Sequence, residues 1–302
     1  MAMKWDGVFP AVTTQFDEQL RVDLAATAKV IEGLVRDGVD GLIVCGTVGE
    51  GTSLNPQEKR AVLEAAVGVA KRRVPVVAGV AEYTTQMAAE LARDAEKIGV
   101  DGLMVMPAMV YSAKPRETVA HFRGVARASA LPIMLYNNPL IYRTDVTPQM
   151  VAVLAEVETV VAVKDSSGST SRFVDLQNTV GDRFALFCGL DDVILECVLL
   201  GAVGWVSGMS NVFPREASRL FALARAGRWD EANALYRWFM PLLHLDARPD
   251  LVQCIKLCEQ IVGRGTERVR PPRLVLDGAE RHAVEKAMRE ALAQRPNLER
   301  AA

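Results

Sequence analysis

Short apolar runs recur along the chain, and each is followed by a polar loop and then by a longer stretch with helical periodicity. The runs are rich in Val, Ile and Leu and are nearly continuous in hydrophobicity, which is typical of parallel strands buried on both faces. Eight such strands, alternating with helices, predict a closed barrel. The predicted strands span 7–13, 41–46, 75–80, 102–107, 132–137, 160–165, 184–189 and 204–208.

The segments between the runs place apolar residues three and four positions apart, which predicts amphipathic helices packed against the outside of the barrel. The tetrapeptide VDGL occurs twice, at 39–42 and at 100–103, each time between a predicted helix and an apolar run. We therefore expect one type of helix-to-strand turn to be used twice. The predicted helices span 24–36, 56–71, 85–98, 117–129, 148–155, 171–180, 193–200 and 214–226.

After residue 227 the pattern changes to helices without strands, at 229–243, 250–262 and 278–293. The expected fold is therefore of the α/β class. It is a (β/α)8 TIM barrel over residues 1–226, followed by a C-terminal helical extension of the same domain over residues 227–302. A chain of 302 residues fits this single unit.

The composition and the charge exclude several classes of partner. With 50% apolar and 24% charged residues, the chain can build a sizeable core. Its 35 basic and 37 acidic residues nearly balance and form no long basic stripe, so nucleic acid is not an expected partner. The start lacks a basic segment followed by an apolar one, and no apolar stretch reaches about eighteen residues. We therefore expect a cytoplasmic protein with no membrane partner.

The cysteines and histidines lack the spacing of a metal site. The five cysteines lie mostly in apolar segments, and we interpret them as reduced core residues. The three histidines, His121, His244 and His282, are scattered over predicted helices, without a second ligand at metal-site spacing. No metal is therefore expected, and a metal-dependent aldolase is disfavoured.

An amine stands at the end of the sixth predicted strand, where Lys164 follows the apolar residues 160–163. In an α/β barrel the active site lies at the C-terminal ends of the strands, so Lys164 is placed to point into the barrel mouth. One interpretation is a structural ion pair with a neighbouring carboxylate such as Asp165. The other is a nucleophile for a carbonyl carbon, activated by desolvation in the apolar lining of the barrel.

Two further strand ends carry polar groups. Tyr136 ends the fifth strand, where its phenol could exchange protons with a carbinolamine, although a buried tyrosine with a satisfied hydroxyl is also routine there. The segment GTVGEGT at 46–52 follows the second strand, and its backbone N–H groups, with the Thr47 hydroxyl, could receive a carboxylate or another anion. Tight βα turns also use glycine, and this spacing matches neither a P-loop nor a dinucleotide fingerprint.

Taken together, GTVGE at 46–50, YNNP at 136–139 and VKD at 163–165 resemble the dihydrodipicolinate synthase and N-acetylneuraminate lyase superfamily of class I aldolases and dehydratases. The motifs occur in the order and at the spacing of that superfamily. The resemblance implies that Lys164 forms a Schiff base, that Tyr136 shuttles protons, and that Thr47 with Val48 holds the substrate carboxylate. It also implies a homotetramer that needs no cofactor. Additional substrate contacts are expected from Gly46, Tyr111, Arg143, Gly189, Val206 and Ser207.

The chain departs from the synthase that gives the superfamily its name. Val48 replaces a second threonine of the loop, so a backbone N–H must serve in place of a side-chain donor. The synthase has a tyrosine shortly after its fourth strand and an arginine just after the Tyr-Asn-x-Pro turn, whereas this chain reads AMVY at 108–111 and LIYR at 140–143. These differences put lysine biosynthesis in doubt.

Four segments are most similar to 1-pyrroline-4-hydroxy-2-carboxylate deaminases, namely GTVGEG, YNNP, LVQCIKL at 251–257 and VRPPRL at 269–274. The leading hypothesis is therefore deamination of that cyclic imine to 2,5-dioxopentanoate and ammonia. Lys164 adds at the imine carbon, the ring opens, Tyr136 assists proton transfers, and water is lost.

Two alternatives stay open. A pyruvate-dependent aldolase or synthase, such as 4-hydroxy-tetrahydrodipicolinate synthase, would use the same Schiff base and proton shuttle. In either case the partner is a small 2-oxo acid or a cyclic imine carboxylate. A non-catalytic barrel that binds sugar acids or has a regulatory role is a third hypothesis, which the lysine and the tyrosine disfavour.

Overall fold

The computed structural model describes residues 3–298, which form eight strands alternating with helices. The last four residues of the predicted C-terminal extension lie outside the described part of the chain. The strands are β1 (Gly7–Pro10), β2 (Leu42–Val44), β3 (Val76–Val80), β4 (Gly102–Val105), β5 (Ile133–Asn137), β6 (Val160–Asp165), β7 (Ala185–Cys188) and β8 (Gly204–Ser207).

All eight strands are parallel and pair in the order β1-β8-β7-β6-β5-β4-β3-β2. A bridge between Ala11 and Ile43 brings the two ends of this sheet together, so that it nearly closes into a barrel. Almost every strand residue is buried, because side chains fill the barrel interior and helices cover its outside. The predicted (β/α)8 TIM barrel with a C-terminal helical extension is confirmed.

Several helices begin where a side chain caps their first turn. The helices are α1 (Leu24–Arg36), α2 (Pro56–Ala70), α3 (Thr85–Ile98), α4 (Pro115–Ala126), α5 (Pro139–Tyr142), α6 (Pro148–Leu154), α7 (Ser171–Val180), α8 (Ile194–Leu199), α9 (Pro214–Arg225), α10 (Trp229–Leu243), α11 (Leu251–Ile261) and α12 (Gly278–Ala293). Asn55 and Glu58 form a reciprocal capping box at the start of α2. Asp23 caps α1 and Thr84 caps α3 in the same side-chain-to-backbone manner.

The repeated VDGL segment forms the same turn at both of its positions. In each case a glycine with positive φ ends the preceding helix. The carboxylate of Asp40 then accepts the N–H of Val8 at 2.8 Å, and that of Asp101 accepts the N–H of Val76 at 2.9 Å. Each aspartate therefore ties the strand that follows it to the neighbouring strand, and the predicted double use of this turn is confirmed.

The structure departs from the predicted elements mainly at their ends. The first strand stops at Pro10, because the chain then crosses to β2 through the Ala11 bridge. The predicted helix 117–129 starts two residues earlier, at Pro115, since proline fits the first turn of a helix. The short helix α5 was not predicted, because periodicity cannot be seen in a single turn.

The C-terminal helices bring two segments to the barrel mouth. Helix α10 packs on α9, and α11 packs on α12. The loop between α10 and α11, and the segment that follows α11, thereby reach the C-terminal ends of the strands. All five cysteines are buried and none forms a disulfide, as the sequence predicts. Within residues 3–298, no helix combines the length and the apolar character that crossing a bilayer requires.

Candidate active site

A cavity of about 470 Å³ opens at the C-terminal ends of the strands. This is the end at which α/β barrels carry their active sites. Strand ends form its floor, and the loop between α10 and α11 contributes part of its wall. The lining residues are Ala11, Thr47, Val48, Met104, Tyr136, Asn138, Leu140, Ile141, Lys164, Gly189, Leu190, Val206, Gly208, Asp246, Ala247, Arg248, Pro249, Leu251, Val252 and Arg273.

Lys164 lies at the end of β6 with only 5% of its surface exposed. Its Nζ lies 3.8 Å from the centre of the Tyr136 ring, and the two residues are paired in the β5–β6 register. The alternative ion pair with Asp165 is not formed, because successive strand side chains point to opposite faces. Asp165 instead accepts hydrogen bonds from Asn137 Nδ2 at 2.7 Å and from Ser167 Oγ at 2.6 Å. The amine is thus left facing the cavity.

Tyr136 ends up beside the amine because β5 and β6 are neighbours in the barrel. It is 3% exposed, and its phenol oxygen accepts a hydrogen bond from Asn138 Nδ2 at 3.0 Å. Since Asn138 occupies an acceptor site of that oxygen, the phenol proton is free to point elsewhere. Its ring meets that of Tyr142 edge-on, with 5.6 Å between the ring centres.

Thr47 is hydrogen-bonded to the phenol of Tyr142. Its Oγ1 forms a short hydrogen bond with the hydroxyl of Tyr142, which α5 presents one turn after Pro139. Burial raises the pKa of Tyr142 above its ordinary value, and the neighbouring phenol of Tyr136 raises it further to a smaller extent. Tyr142 therefore stays protonated near neutrality and keeps the threonine hydroxyl oriented.

The glycine-rich loop after β2 is shaped by close backbone contacts. A Cβ on Gly51 would lie 2.0 Å from the carbonyl oxygen of Cys45, so only glycine fits there. Within residues 3–298, the backbone N–H groups of Thr47 and Val48 donate to no backbone carbonyl. Unpaired N–H groups beside a hydroxyl are suited to an anion such as a carboxylate.

A buried charge network holds this loop against α11. Glu50 pairs with Lys256 at 2.9 Å, and both side chains are fully buried. Glu50 also accepts the backbone N–H of Arg270 at 2.9 Å. Nearby, Glu259 accepts a hydrogen bond from Thr13 at 3.0 Å, and burial raises its pKa to about 7. The network therefore connects the candidate anion site to the C-terminal helices.

Lys256→Met is expected to lower the free energy of unfolding by about 3–5 kcal/mol, because it leaves the Glu50 carboxylate buried without its partner. Urea unfolding followed by circular dichroism measures the loss. The double variant Lys256→Met, Glu50→Gln should recover part of it, since no buried charge then lacks a partner. A loss below about 1 kcal/mol in the single variant would contradict a structural role for this pair.

Two buried carboxyl groups lie next to the ends of β7 and β8. Asp191 is fully buried and accepts hydrogen bonds from Trp205 Nε1 at 2.9 Å, from Ser207 Oγ at 3.1 Å and from the N–H of Met209 at 2.8 Å. Burial raises its pKa to about 7. Asp246, in the loop after α10, is 7% exposed and lines the cavity itself.

The structure brings most of the predicted site residues together. Thr47, Val48, Tyr136, Lys164, Gly189 and Val206 all line the cavity. Ser207 does not, because its hydroxyl is engaged with Asp191. Gly46, Tyr111 and Arg143 lie in an adjoining cavity of about 540 Å³, which shares Thr47, Ile141 and Arg273 with the first.

Among the residues of the site that were not identified from the sequence are Tyr142, Asp246 and Arg273. Tyr142 has a detectable pattern, because the turn of YNNPLIY places it next to the end of the strand that carries Tyr136. Asp246 and Arg273 have none, since they belong to connections between C-terminal helices. Arg273 lines both cavities and its Nη1 lies 3.9 Å from a Glu50 oxygen.

Comparison with known proteins gives consistent matches over nearly the whole chain. The model of the dihydrodipicolinate synthetase family matches residues 4–291. The chain is 32% identical over 271 residues to 4-hydroxy-tetrahydrodipicolinate synthase 2 of Halalkalibacterium halodurans, covering 89% of this chain and 92% of that protein. It is also 32% identical over 269 residues to the Escherichia coli protein named Probable 2-dehydro-3-deoxy-D-pentonate aldolase YjhH, covering 87% of this chain and 89% of that protein.

Solved structures agree with the sequence matches. The crystal structure of dihydrodipicolinate synthase DapA-2 from Bacillus anthracis superposes on this chain with a TM-score of 0.91 and 29% sequence identity. The superposition covers 95% of this chain and 98% of that one. The barrel and the C-terminal helices are therefore both shared with that structure.

Proposed function

Because the chain belongs to the dihydrodipicolinate synthetase family, whose members are class I aldolase-like lyases that form a lysine Schiff base, we propose that Lys164 is the lysine that forms it here. The observation that carries this proposal is the buried amine, which faces the cavity beside the Tyr136 ring. Within residues 3–298 no carboxylate forms an ion pair with it, so its lone pair is available to a carbonyl or imine carbon once the proton is lost.

The substrate carboxylate is assigned to the loop after β2. The N–H groups of Thr47 and Val48 and the threonine hydroxyl supply donors, and Arg273 supplies a positive charge at the same edge of the cavity. Val48 provides no side-chain donor, so the backbone N–H takes that part. An anion bound here would sit on the β2 side of the cavity, with its 2-carbon directed towards Lys164.

We propose 1-pyrroline-4-hydroxy-2-carboxylate as the substrate and deamination as the reaction. Lys164 adds to C2, the ring nitrogen leaves C2 as an amine, and the Tyr136 phenol transfers the protons that this exchange requires. Removal of a C3 proton and loss of the 4-hydroxyl as water follow. Tautomerisation places the remaining unsaturation at C5 as an imine, and hydrolysis of both imines releases ammonia and 2,5-dioxopentanoate.

The charges around the cavity favour a substrate with a single carboxylate. Arg248 is neutralised by Asp250 through two hydrogen bonds of 2.8 Å. Arg143 lies in the adjoining cavity. A second anionic substrate, such as the aspartate semialdehyde used in condensation with pyruvate, would therefore lack a free cation beside Lys164.

The second candidate is a pyruvate-dependent aldolase or synthase. It is favoured by the names of the relatives, which are a 4-hydroxy-tetrahydrodipicolinate synthase and a 2-dehydro-3-deoxy-D-pentonate aldolase. Both reaction types need the same amine and phenol, so the catalytic cluster does not separate them. For either reaction we propose a homotetramer, as the family resemblance implies, and a cytoplasmic location, as the sequence predicts.

The purified protein is expected to release ammonia and 2,5-dioxopentanoate from 1-pyrroline-4-hydroxy-2-carboxylate, and to give little condensation product from pyruvate with aspartate semialdehyde. Ammonia is followed with a coupled assay, and both products by mass spectrometry. Borohydride reduction in the presence of pyruvate serves as a control for a competent Lys164 amine. Efficient condensation without ammonia release would replace the deaminase proposal by the second candidate and leave the Schiff base in place.

A further inference from the structure

Asp246 shares the cavity with the amine of Lys164, and two glycines leave room for these side chains. A Cβ on Gly208 would lie 2.1 Å from an oxygen of the Asp246 carboxyl. A Cβ on Gly189 would lie 2.7 Å from Cε of Lys164. These glycines directly follow β8 and β7, which are neighbouring strands. The backbone at these two strand ends therefore leaves space for the Asp246 carboxyl and for the Lys164 side chain, which line the same cavity.

The surroundings of Asp246 favour the protonated form of its carboxyl more than those of Asp191 do. Asp191 receives three side-chain and backbone donors, which stabilise a negative charge on it. Asp246 accepts one backbone N–H, that of Asp191. Burial first, and then the charge of Asp191, raise the pKa of Asp246 well above its ordinary value, with a smaller contribution from Asp192 and an opposing one from Lys164.

We propose that Asp246 is the catalytic acid that protonates the 4-hydroxyl of the substrate as it leaves as water. This inference rests on the proposed deaminase function. It divides the proton transfers between two groups. The Tyr136 phenol, which lies next to the Lys164 amine, transfers protons at C2. The Asp246 carboxyl transfers a proton to the hydroxyl on C4.

The step balances without a further reactant. After a C3 proton has been removed, the lone pair of the Lys164 nitrogen forms the C=N bond to C2. The electron pair of the C2=C3 bond moves to form C3=C4, and the C4–O bond breaks with its pair on oxygen. The proton of the Asp246 carboxyl joins that oxygen, and water is formed. Asp246 is left as a carboxylate and regains a proton from solvent as the product departs.

The test compares two leaving groups in Asp246→Asn, which keeps the shape of the side chain but has no acidic proton. With 1-pyrroline-4-hydroxy-2-carboxylate, kcat for ammonia release should fall by at least about 100-fold. With the 4-fluoro analogue, whose fluoride leaves without a proton, the release of fluoride should stay within about threefold of wild type. The matched control is Asp230→Asn, which alters an exposed carboxyl in the first turn of α10. It should leave both rates unchanged.

The role of Asp246 as an acid predicts a loss with the hydroxy substrate alone. Equal losses with both substrates would show a structural role and overturn it, as would a near-normal rate with the hydroxy substrate. If Asp246→Asn does not fold, Asp246→Ser is measured with the same pair of substrates. If wild type itself releases no ammonia although borohydride traps its Lys164 with pyruvate, the proposed function has failed and this inference is rejected with it. A failure specific to Asp246 appears only in the variant.

Discussion

Lys164→Ala is expected to reduce turnover by at least about 10⁴-fold, to the background level, with the fold intact. The reason is that no other amine lies in the cavity to replace the lost nucleophile among the residues described. The amine makes no ion pair there, so its removal leaves no carboxylate without a partner. Product release, and borohydride-dependent attachment of pyruvate detected by intact mass, are the two measurements.

Two variants control this experiment. Lys164→Arg keeps a positive charge but not a nucleophilic amine, and it should be as inactive as the alanine variant. Lys286→Ala removes a lysine whose side chain is 69% exposed on α12, and it should retain full activity and attachment. Substantial turnover in Lys164→Ala, or attachment of pyruvate to another lysine, would contradict the proposed mechanism.

Tyr136→Phe is expected to lower kcat by about 10²–10⁴-fold while KM changes little, because it removes a positioned proton donor and leaves the ring in place. The retained ring still lies against the Lys164 amine and the Tyr142 ring. Steady-state kinetics gives kcat and KM, and trapping of the Schiff base should persist at a reduced rate.

The control for this variant is Tyr236→Phe, which removes the hydroxyl of a tyrosine that lines neither cavity and donates to the backbone carbonyl of Asp192. Its kinetics should match wild type. If Tyr136→Phe were also close to wild type, the tyrosine would be a packing residue with a satisfied hydroxyl, which is the alternative that the sequence leaves open.

The predictable part of the site follows from one rule of barrel geometry. Polar residues that end apolar strands lie near the mouth, and this rule locates Lys164, Tyr136 and Thr47 from the sequence. It could not locate Tyr142, because a one-turn helix has no periodicity, nor Asp246 and Arg273, because nothing in a loop between helices marks which residue will face a cavity.

Proximity along the sequence does not show to which face of a strand a side chain points. Asp165 follows Lys164 and is the natural ion-pair partner by proximity along the chain. The structure places it on the other face of β6, hydrogen-bonded to Asn137 and Ser167. Similarly, Ser207 ends β8 but is engaged with Asp191 and does not line the cavity. In both cases alternation along the strand decides the outcome.

The sequence by itself determined the eight strands, the helices around them and the three strand-end residues, because hydrophobic period, capping groups and turn glycines act within a few residues. Tertiary structure alone decided which distant groups meet. Closure of the barrel sets Tyr136 beside Lys164, and the packing of α10 and α11 carries Asp246 to the same cavity. The raised pKa of Asp246 is likewise a tertiary property, since it depends on burial and on the charge of Asp191, neither of which a residue's own sequence neighbours fix.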